Sequence, residues 1–122
     1  MGKPKRVSLA ELCLRSTHRI YNRQGELVIG EGRMALLEGI AATGSINQAA
    51  KLLGMSYKSA WSKIRSTENR LGVSIIHTDR ASGSRLTAEG LALLTRYRRL
   101  KRRCLAADDA VFEKVFGAGA DD

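Results

Sequence analysis

The side chains with the clearest chemical potential are the cationic and hydroxyl groups that follow Ser56. Lys58, Ser62 and Arg65 lie on one side of a helix with 3.6 residues per turn. The two cations can pair with phosphates or donate to O6 and N7 of guanine, and a serine hydroxyl can contact either base edge. These residue types at this spacing predict contact with double-stranded DNA. The alternative interpretation is an ordinary solvated helix face.

Residues at predicted helix starts extend this candidate interface. Ser56 and Tyr57 begin the helix, where the free N–H groups of the first turn favour contact with a phosphate. Ser45 holds the same position before the preceding helix and belongs to the candidate set. Trp61 has two interpretations that the sequence does not separate, namely packing against a neighbouring element and contact with DNA.

A polar turn farther along the chain carries two arginines and two serines around Gly83. A flexible basic tip of this kind can lie along the DNA backbone or enter the minor groove. The alternative is a plain solvent-exposed turn. The candidate residues of this wing are Arg80, Ser82, Ser84 and Arg85.

The composition agrees with a polyanionic partner. The chain has 122 residues, enough for one domain with a modest core, of which 43% are hydrophobic, and its formal net charge is +9. The charge is uneven, because residues 1–103 hold 20 basic and 7 acidic side chains. Such an excess can serve solubility alone, but Lys and Arg that neutralise phosphates supply most of the non-specific affinity for nucleic acid.

Other functional classes find little support. Cys13 and Cys104 form no metal-binding or disulfide pattern, which fits reduced thiols in the cytoplasm. His18 and His77 have no acid or cysteine at the spacing of a catalytic or zinc site, so we expect no enzyme, no metal and no cofactor. No apolar run is long enough to cross a membrane, and the aromatic pairs that stack RNA bases are missing. We expect a protein of the cytoplasm that is located at the nucleoid and does not contact a membrane.

The elements that must position these side chains begin with a predicted β-hairpin. Residues 1–11 are expected to form a flexible basic arm. From Leu12 onward, leucine and isoleucine alternate with arginine, which predicts a half-buried strand. Gln24-Gly25 predicts a tight turn, and residues 27–29 predict the returning strand.

Three helices are predicted next. Glycines end each of them, at Gly44, Gly54 and Gly72, and Gly54 permits the left-handed turn that the chain needs there. Ser45 and Ser56 cap the second and third, and Gln48 adds a capping box. The faces expected to be buried are Leu36, Leu37, Ile40 and Ala41, then Ile46, Ala49, Ala50 and Leu53, then Ala60, Ile64, Thr67 and Leu71.

A second hairpin and a long helix follow. Residues 73–78 predict a strand, Leu86 is expected to begin the return strand, and Thr87 is expected to cap the helix. Along this helix apolar residues recur at steps of four and three, as in a coiled-coil seam. We expect a dimer interface, and the alternative is packing against the hairpin and first helix of the same chain. The seam residues are Leu93, Tyr97, Leu100, Cys104, Ala107 and Val111.

Together the elements predict a mainly α fold with small β-hairpins, namely a winged helix-turn-helix domain with a long C-terminal dimerisation helix. The expected boundaries are residues 12–86 for the domain, 87–116 for the helix and 117–122 for a disordered tail.

The central part of the sequence resembles a known family. The run Ser-Ile-Asn-Gln-Ala-Ala-Lys-Leu-Leu-Gly-Met-Ser-Tyr-Lys-Ser-Ala-Trp, residues 45–61, is similar to the N-terminal domain of the ModE family of molybdate-responsive bacterial regulators. Residues 30–37 and 86–90 fit the same family. More distantly, Ala49-Ala50, Ile64, Leu71-Gly72 and Leu86-Thr87 resemble the LysR-type DNA-binding domain.

The resemblance implies a homodimer that binds a two-fold symmetric operator, with the helix from Thr87 in the interface and genes of molybdate transport or molybdoenzymes as targets. ModE proteins carry C-terminal oxyanion-binding domains, for which this sequence is too short, so we expect no molybdate binding and no identifiable small-molecule effector. The predicted wing is also shorter and poorer in glycine than the family's. An architectural DNA binder with little sequence preference is the alternative function, although Trp61 and the hydroxyl groups favour specificity.

Overall fold

The computed structural model describes residue 2 and residues 4–117, so the predicted tail beyond Gly117 lies outside the described residues. The described residues divide into two compact units, residues 17–99 and residues 4–16 with 100–117. The strands and helices are β1 (Ile20–Tyr21), β2 (Leu27–Ile29), α1 (Glu31–Thr43), α2 (Ile46–Leu52), α3 (Tyr57–Leu71), β3 (Ile76–Asp79), β4 (Gly83–Leu86) and α4 (Ala88–Phe116). This order confirms the predicted mainly α fold with two small hairpins.

The first hairpin is shorter than the sequence predicts. β1 and β2 pair antiparallel, with Ile20 opposite Ile29, and the predicted turn is present. The strand predicted from Leu12 is wrong, because Leu12 is exposed and a single 3-10 turn, Leu9–Glu11, precedes it within the predicted flexible arm. A strand needs a partner for its backbone N–H and C=O groups, and β2 offers partners only to Ile20 and Tyr21. Leu14 is exposed for the same reason.

The core of the larger unit joins the three central helices to β2, the wing and the start of α4. Ala41, Leu53 and Leu71 were expected in it but are exposed. Leu53 has left the helical conformation at the end of α2, and Leu71 is the last residue of α3, so both lie beyond the packed turns. The buried apolar residues are Val28, Ile29, Leu36, Leu37, Ile40, Ile46, Ala49, Ala50, Ala60, Ile64, Ile75, Ile76, Leu94 and Tyr97.

The second hairpin, which is the wing, starts later than predicted. β3 and β4 pair antiparallel from Ile76 opposite Leu86 to Asp79 opposite Gly83. The prediction that Leu86 begins the return strand is therefore wrong, because Leu86 ends it. The backbone N–H of Ile75 donates to a side-chain carboxylate, and the first residue of this segment that pairs with β4 is Ile76.

The N-terminus of α4 is fixed to the residues before β3. The Thr87 hydroxyl accepts the backbone N–H of Gly90 at 3.0 Å, which confirms the predicted cap, and donates to the Ser74 carbonyl at 2.7 Å. The Thr87 N–H donates to the Ile75 carbonyl at 2.9 Å. The two bonds to the Ser74 and Ile75 carbonyls place the first turn of α4 directly against the segment before β3.

The smaller unit contains the later part of α4 and an apolar surface group. The rings of Phe112 and Phe116 are stacked, with centroids 5.0 Å apart. Together with Leu14, Val111 and Val115 they line a shallow groove of this unit.

Candidate nucleic-acid interface

Serine caps and one glycine form the connection between α2 and α3. Each helix begins at a serine whose hydroxyl accepts the backbone N–H three residues later, at 3.1 Å for Ser45 and 3.0 Å for Ser56. Between the helices Gly54 adopts φ +67°, a left-handed conformation that costs glycine little. The connection is therefore as tight as the sequence predicts.

The inner side of α3 holds the helix against the core. Ala60 and Ile64 are buried there, as predicted. Thr67 is buried as well, and its hydroxyl donates to the Val28 carbonyl of β2 at 2.7 Å. Rotation of α3 about its axis would break this bond and expose the two apolar residues, so the opposite side of the helix has a fixed direction.

The opposite side presents a set of hydrogen-bonding groups to solvent. Its residues Lys58, Ser62, Arg65 and Asn69, which we call the α3 outer face, are all exposed. They follow one another at steps of four, three and four, so they form one stripe along the helix. Two cations, a hydroxyl and an amide match the acceptors of phosphates and of purine base edges. The sequence pattern also predicts Asn69 on this face, farther along the helix, and the structure places it there.

The aromatic residues at the start of α3 border this stripe. Tyr57 is exposed and meets Trp61 edge to face, with ring centroids 6.4 Å apart. Trp61 is partly buried against the core, which confirms the packing interpretation. Its ring also lies 4.8 Å from the Arg65 guanidinium carbon, so Trp61 is in contact with the α3 outer face.

The capping serines retain hydrogen-bonding capacity. Ser56 is exposed and Ser45 is half-buried. Each hydroxyl accepts a backbone bond and still has its own proton to donate. Both therefore remain able to donate to a phosphate at a helix N-terminus.

The wing tip exposes most of its predicted contacts. Arg80, Ser82 and Arg85 are all exposed. Asp79 sits beside them, and its Oδ1 accepts the backbone N–H of Ala81 at 2.8 Å. This hydrogen bond lowers the pKa of Asp79 below its usual value, so the carboxylate stays ionised and offsets part of the positive charge of the tip.

Ser84 is an exception among the predicted wing contacts. Its side chain is buried, and its hydroxyl lies 3.4 Å from the hydroxyl of Thr78 across the hairpin. Its backbone N–H donates to the carbonyl of Gly44, the residue that ends α1, at 2.9 Å. Ser84 therefore attaches the wing to the domain and is not exposed at the wing tip.

Glu68 is buried, although the sequence pattern counts it among the outward positions of α3. Its side chain is only 9% exposed, and Oε2 accepts the backbone N–H groups of Ile75 at 2.8 Å and Ile76 at 3.3 Å. The carboxylate thus joins α3 to the base of the wing. The available signal was its position four residues after Ile64 on the apolar side of α3, because a buried acid requires hydrogen-bond donors.

Part of the basic excess serves the fold instead of the outer face. Arg33 donates to the Ser66 hydroxyl at 2.9 Å, and Arg70 donates to the Leu27 carbonyl at 2.6 Å. Burial lowers the pKa of Arg33, and the charge of Arg70 lowers it further. These arginines lie on the flank of α3 toward the first hairpin.

The predicted seam of α4 divides between the two units. In the larger unit Tyr97 is buried and donates to the His18 carbonyl at 2.6 Å, and Leu93 packs against the same core. For these two residues the alternative of packing within the chain is correct, and Tyr97 is not an exposed dimer contact. In the smaller unit Leu100 and Val111 are exposed, Ala107 is exposed and Cys104 is half-buried. We call the four residues Leu100, Cys104, Ala107 and Val111 the α4 stripe.

Neither a metal centre nor a membrane span is evident in the part of the chain that the structure describes. There, no cluster of three or more His, Cys, Asp or Glu side chains is placed to hold a metal ion. Although α4 has 29 residues, neither it nor another described helix has the apolar composition that crossing a membrane demands.

Comparison with known proteins identifies relatives of the region that contains this interface. Residues 32–91 match the family described as bacterial regulatory helix-turn-helix protein, lysR family. "Transcriptional regulator ModE" of Yersinia pestis is 47% identical over 74 residues, which cover 61% of this chain and 27% of that protein. "DNA-binding transcriptional dual regulator ModE" of Escherichia coli K12 is 37% identical over 99 residues, covering 81% and 36%. The chain thus spans about a third of the length of these relatives.

Solved structures agree with the sequence relatives. The DNA-binding domain of CbnR in complex with DNA superposes with a TM-score of 0.56 at 26% identity, over 66% of this chain and 91% of that chain. Full-length CbnR with its target DNA gives a TM-score of 0.58 at 25% identity, over 69% of this chain and 29% of that chain. Both similarities confirm the winged helix-turn-helix architecture.

Proposed function

Residues 32–91 form a LysR-type helix-turn-helix DNA-binding domain, and we propose on this basis that the chain is a transcription regulator that reads DNA through the α3 outer face. The observation that carries the proposal is the contrast between the two sides of α3, one buried by Ala60, Ile64 and Thr67 and the other lined by exposed donors. A helix presented in this way fits the major groove, which is ~12 Å wide. The Escherichia coli relative is itself named a DNA-binding transcriptional dual regulator.

The wing provides the second contact in this proposal. Arg80, Ser82 and Arg85 are exposed at its tip, where they can follow the phosphate backbone or enter the minor groove beside the helix. The bond from Ser84 to Gly44 holds the wing close to Ser45, at the start of α2. Phosphate contacts from the wing and from the α2 cap would then lie side by side.

We propose that the protein acts as a homodimer through the α4 stripe. Its four apolar residues, three of them exposed, recur at steps of four, three and four, a pattern that is unfavourable in water and typical of a helix that packs on a second helix. The occupant that this spacing favours is a second copy of α4. A two-fold symmetric dimer would place two α3 helices on a symmetric operator.

Leu100→Asp should break this dimer, because the substitution places a charge in an apolar contact. We expect the dimer dissociation constant to rise by about thirtyfold or more, a cost of ~2 kcal/mol. Ala106→Asp is the matched control, since it adds the same charge at an exposed position of α4 outside the stripe. Light scattering over a concentration series measures both, and a Leu100→Asp protein that dimerises as tightly as the control would refute the interface.

The proposed targets are operators of genes for molybdate transport or molybdoenzymes, in the bacterial cytoplasm. The support is the sequence identity to proteins named molybdenum transport protein ModE and DNA-binding transcriptional dual regulator ModE. The uneven basic charge equally suits a second candidate, an architectural DNA binder.

Affinity measurements on genomic fragments and on random duplexes at one salt concentration separate the two. A regulator should prefer its best fragment by roughly a thousandfold or more, whereas an architectural protein should bind both alike. Sequencing the preferred fragments identifies the controlled genes.

A further inference from the structure

Arg65 is held by two neighbours on α3 although its side chain is 65% exposed. Its guanidinium carbon lies 4.8 Å from the centre of the Trp61 ring, a cation–π distance. On its other side Nη1 donates to Oε1 of Glu68 at 3.2 Å. An exposed arginine usually samples many rotamers, but these two contacts select a small range of them.

Both neighbours are themselves anchored. The second carboxylate oxygen of Glu68 accepts the backbone N–H groups of Ile75 and Ile76, so the carboxylate cannot follow Arg65 outward. Trp61 packs against the hydrophobic core on one side. Arg65 is therefore connected, through Glu68, to the backbone at the base of the wing.

We propose that Glu68 and Trp61 are positioning residues that hold Arg65 as the base-reading side chain of α3, directed at the O6 and N7 acceptors of a guanine. This inference rests on the proposed function and adds which residue supplies the specificity. Recognition of O6 and N7 of one guanine needs two N–H donors in one plane. The guanidinium has five N–H donors, so four remain after one is given to Glu68. Restricting Arg65 before binding also reduces the rotamer entropy that binding would cost.

A role in neutralising phosphates fits these contacts less well. An arginine already paired with a carboxylate attracts a phosphate more weakly than a free cation does. Lys58, on the same face, forms no ion pair within the described residues and is better suited to that role. Among the described residues, the α3 outer face thus holds one cation without an ion pair, Lys58, and one guanidinium with two side-chain contacts, Arg65.

The test compares a duplex selected from a random library by the wild-type protein with a scrambled duplex, at one salt concentration. Arg65→Lys keeps the positive charge but loses the planar set of N–H donors of the guanidinium. The ratio of the affinity for the selected duplex to that for the scrambled duplex should therefore fall about tenfold, while the affinity for the scrambled duplex changes less than about twofold. Lys58→Ala is the control, because it should weaken both affinities by a similar factor and leave the ratio unchanged.

Two variants test the positioning residues. Glu68→Gln keeps an oxygen that can accept the backbone N–H groups of Ile75 and Ile76 but removes the ion pair with Arg65. Trp61→Leu keeps apolar packing against the core but removes the aromatic ring. Each should lower the affinity ratio without weakening binding to the scrambled duplex, whereas a purely structural role would weaken both bindings together. Melting curves show whether Glu68→Gln folds, and Trp61→Leu carries the test if it does not.

Several outcomes would overturn the inference. An unchanged ratio in Arg65→Lys would show that Arg65 does not read a base. An unchanged ratio in Trp61→Leu, with Arg65→Lys reduced, would remove Trp61 from the positioning role. A wild-type protein that binds both duplexes equally would refute base reading by Arg65 but would still be a DNA-binding protein. A wild-type protein that binds neither duplex would refute the proposed function as well.

Discussion

Gly90→Ala should lower the free energy of unfolding by about 2–3 kcal/mol, the cost of backbone shifts in an overpacked site. A Cβ atom at this position would lie 2.1 Å from the Ile75 carbonyl oxygen and 3.0 Å from its carbon. That carbonyl also accepts the Thr87 N–H, so relieving the clash displaces the bond that fixes the start of α4. Because Ile75 in turn donates to Glu68, the disturbance reaches the base of the wing.

Urea denaturation followed by circular dichroism, at a fixed protein concentration, measures the effect of Gly90→Ala. Gly32→Ala is the matched control, because a Cβ at Gly32 in the first turn of α1 meets no atom within 4 Å. Its stability should be unchanged or up to ~1 kcal/mol higher, since alanine has the greater helix propensity. Equal midpoints for Gly90→Ala and the wild type would mean that α4 does not dock on Ile75 in this way.

Lys58→Glu should weaken binding to DNA by roughly thirtyfold for each α3 helix that contacts the DNA, a loss of ~2 kcal/mol of binding free energy. The exchange removes a cation from the α3 outer face and places a carboxylate opposite the phosphates. The folded state should be unaffected, because Lys58 is exposed. The slope of affinity against salt concentration should also become shallower by about one for each phosphate that the protein no longer neutralises.

Arg102→Glu is the comparison for Lys58→Glu, since it makes the same change in net charge at an exposed position of α4. If binding depended only on net charge, both variants would bind equally weakly in a fluorescence-anisotropy titration. We expect the α4 variant to stay within about threefold of the wild type, because Arg102 belongs to neither α3 nor the wing, the two elements proposed to contact DNA.

The predictions that succeeded rest on local rules. Ser45, Ser56 and Thr87 cap helices because their hydroxyls reach backbone N–H groups only a few residues away, so the helix starts follow from the sequence alone. The glycines that end α1 and α3 are similarly local. The α3 outer face follows from the same periodicity once the helix has been located.

The predictions that failed depend on partners distant in sequence. Leu12 alternates correctly for a strand, but within the described part of the chain no strand pairs with it. Ser84 resembles an exposed turn residue until the carbonyl of Gly44, forty residues earlier, is found to accept its N–H at 2.9 Å. Tyr97 fits a dimer seam by spacing, yet its hydroxyl donates to His18 of the same chain. Periodicity identifies a face but not what covers it.

The most direct test of DNA binding by α3 is an NMR titration of the ¹⁵N-labelled chain with double-stranded DNA. We expect backbone amide shifts to change along residues 57–69 and at the wing tip, residues 80–85, while those of the α4 stripe remain in place. Shift changes confined to α4 or to the first hairpin, with α3 unaffected, would contradict DNA binding by α3.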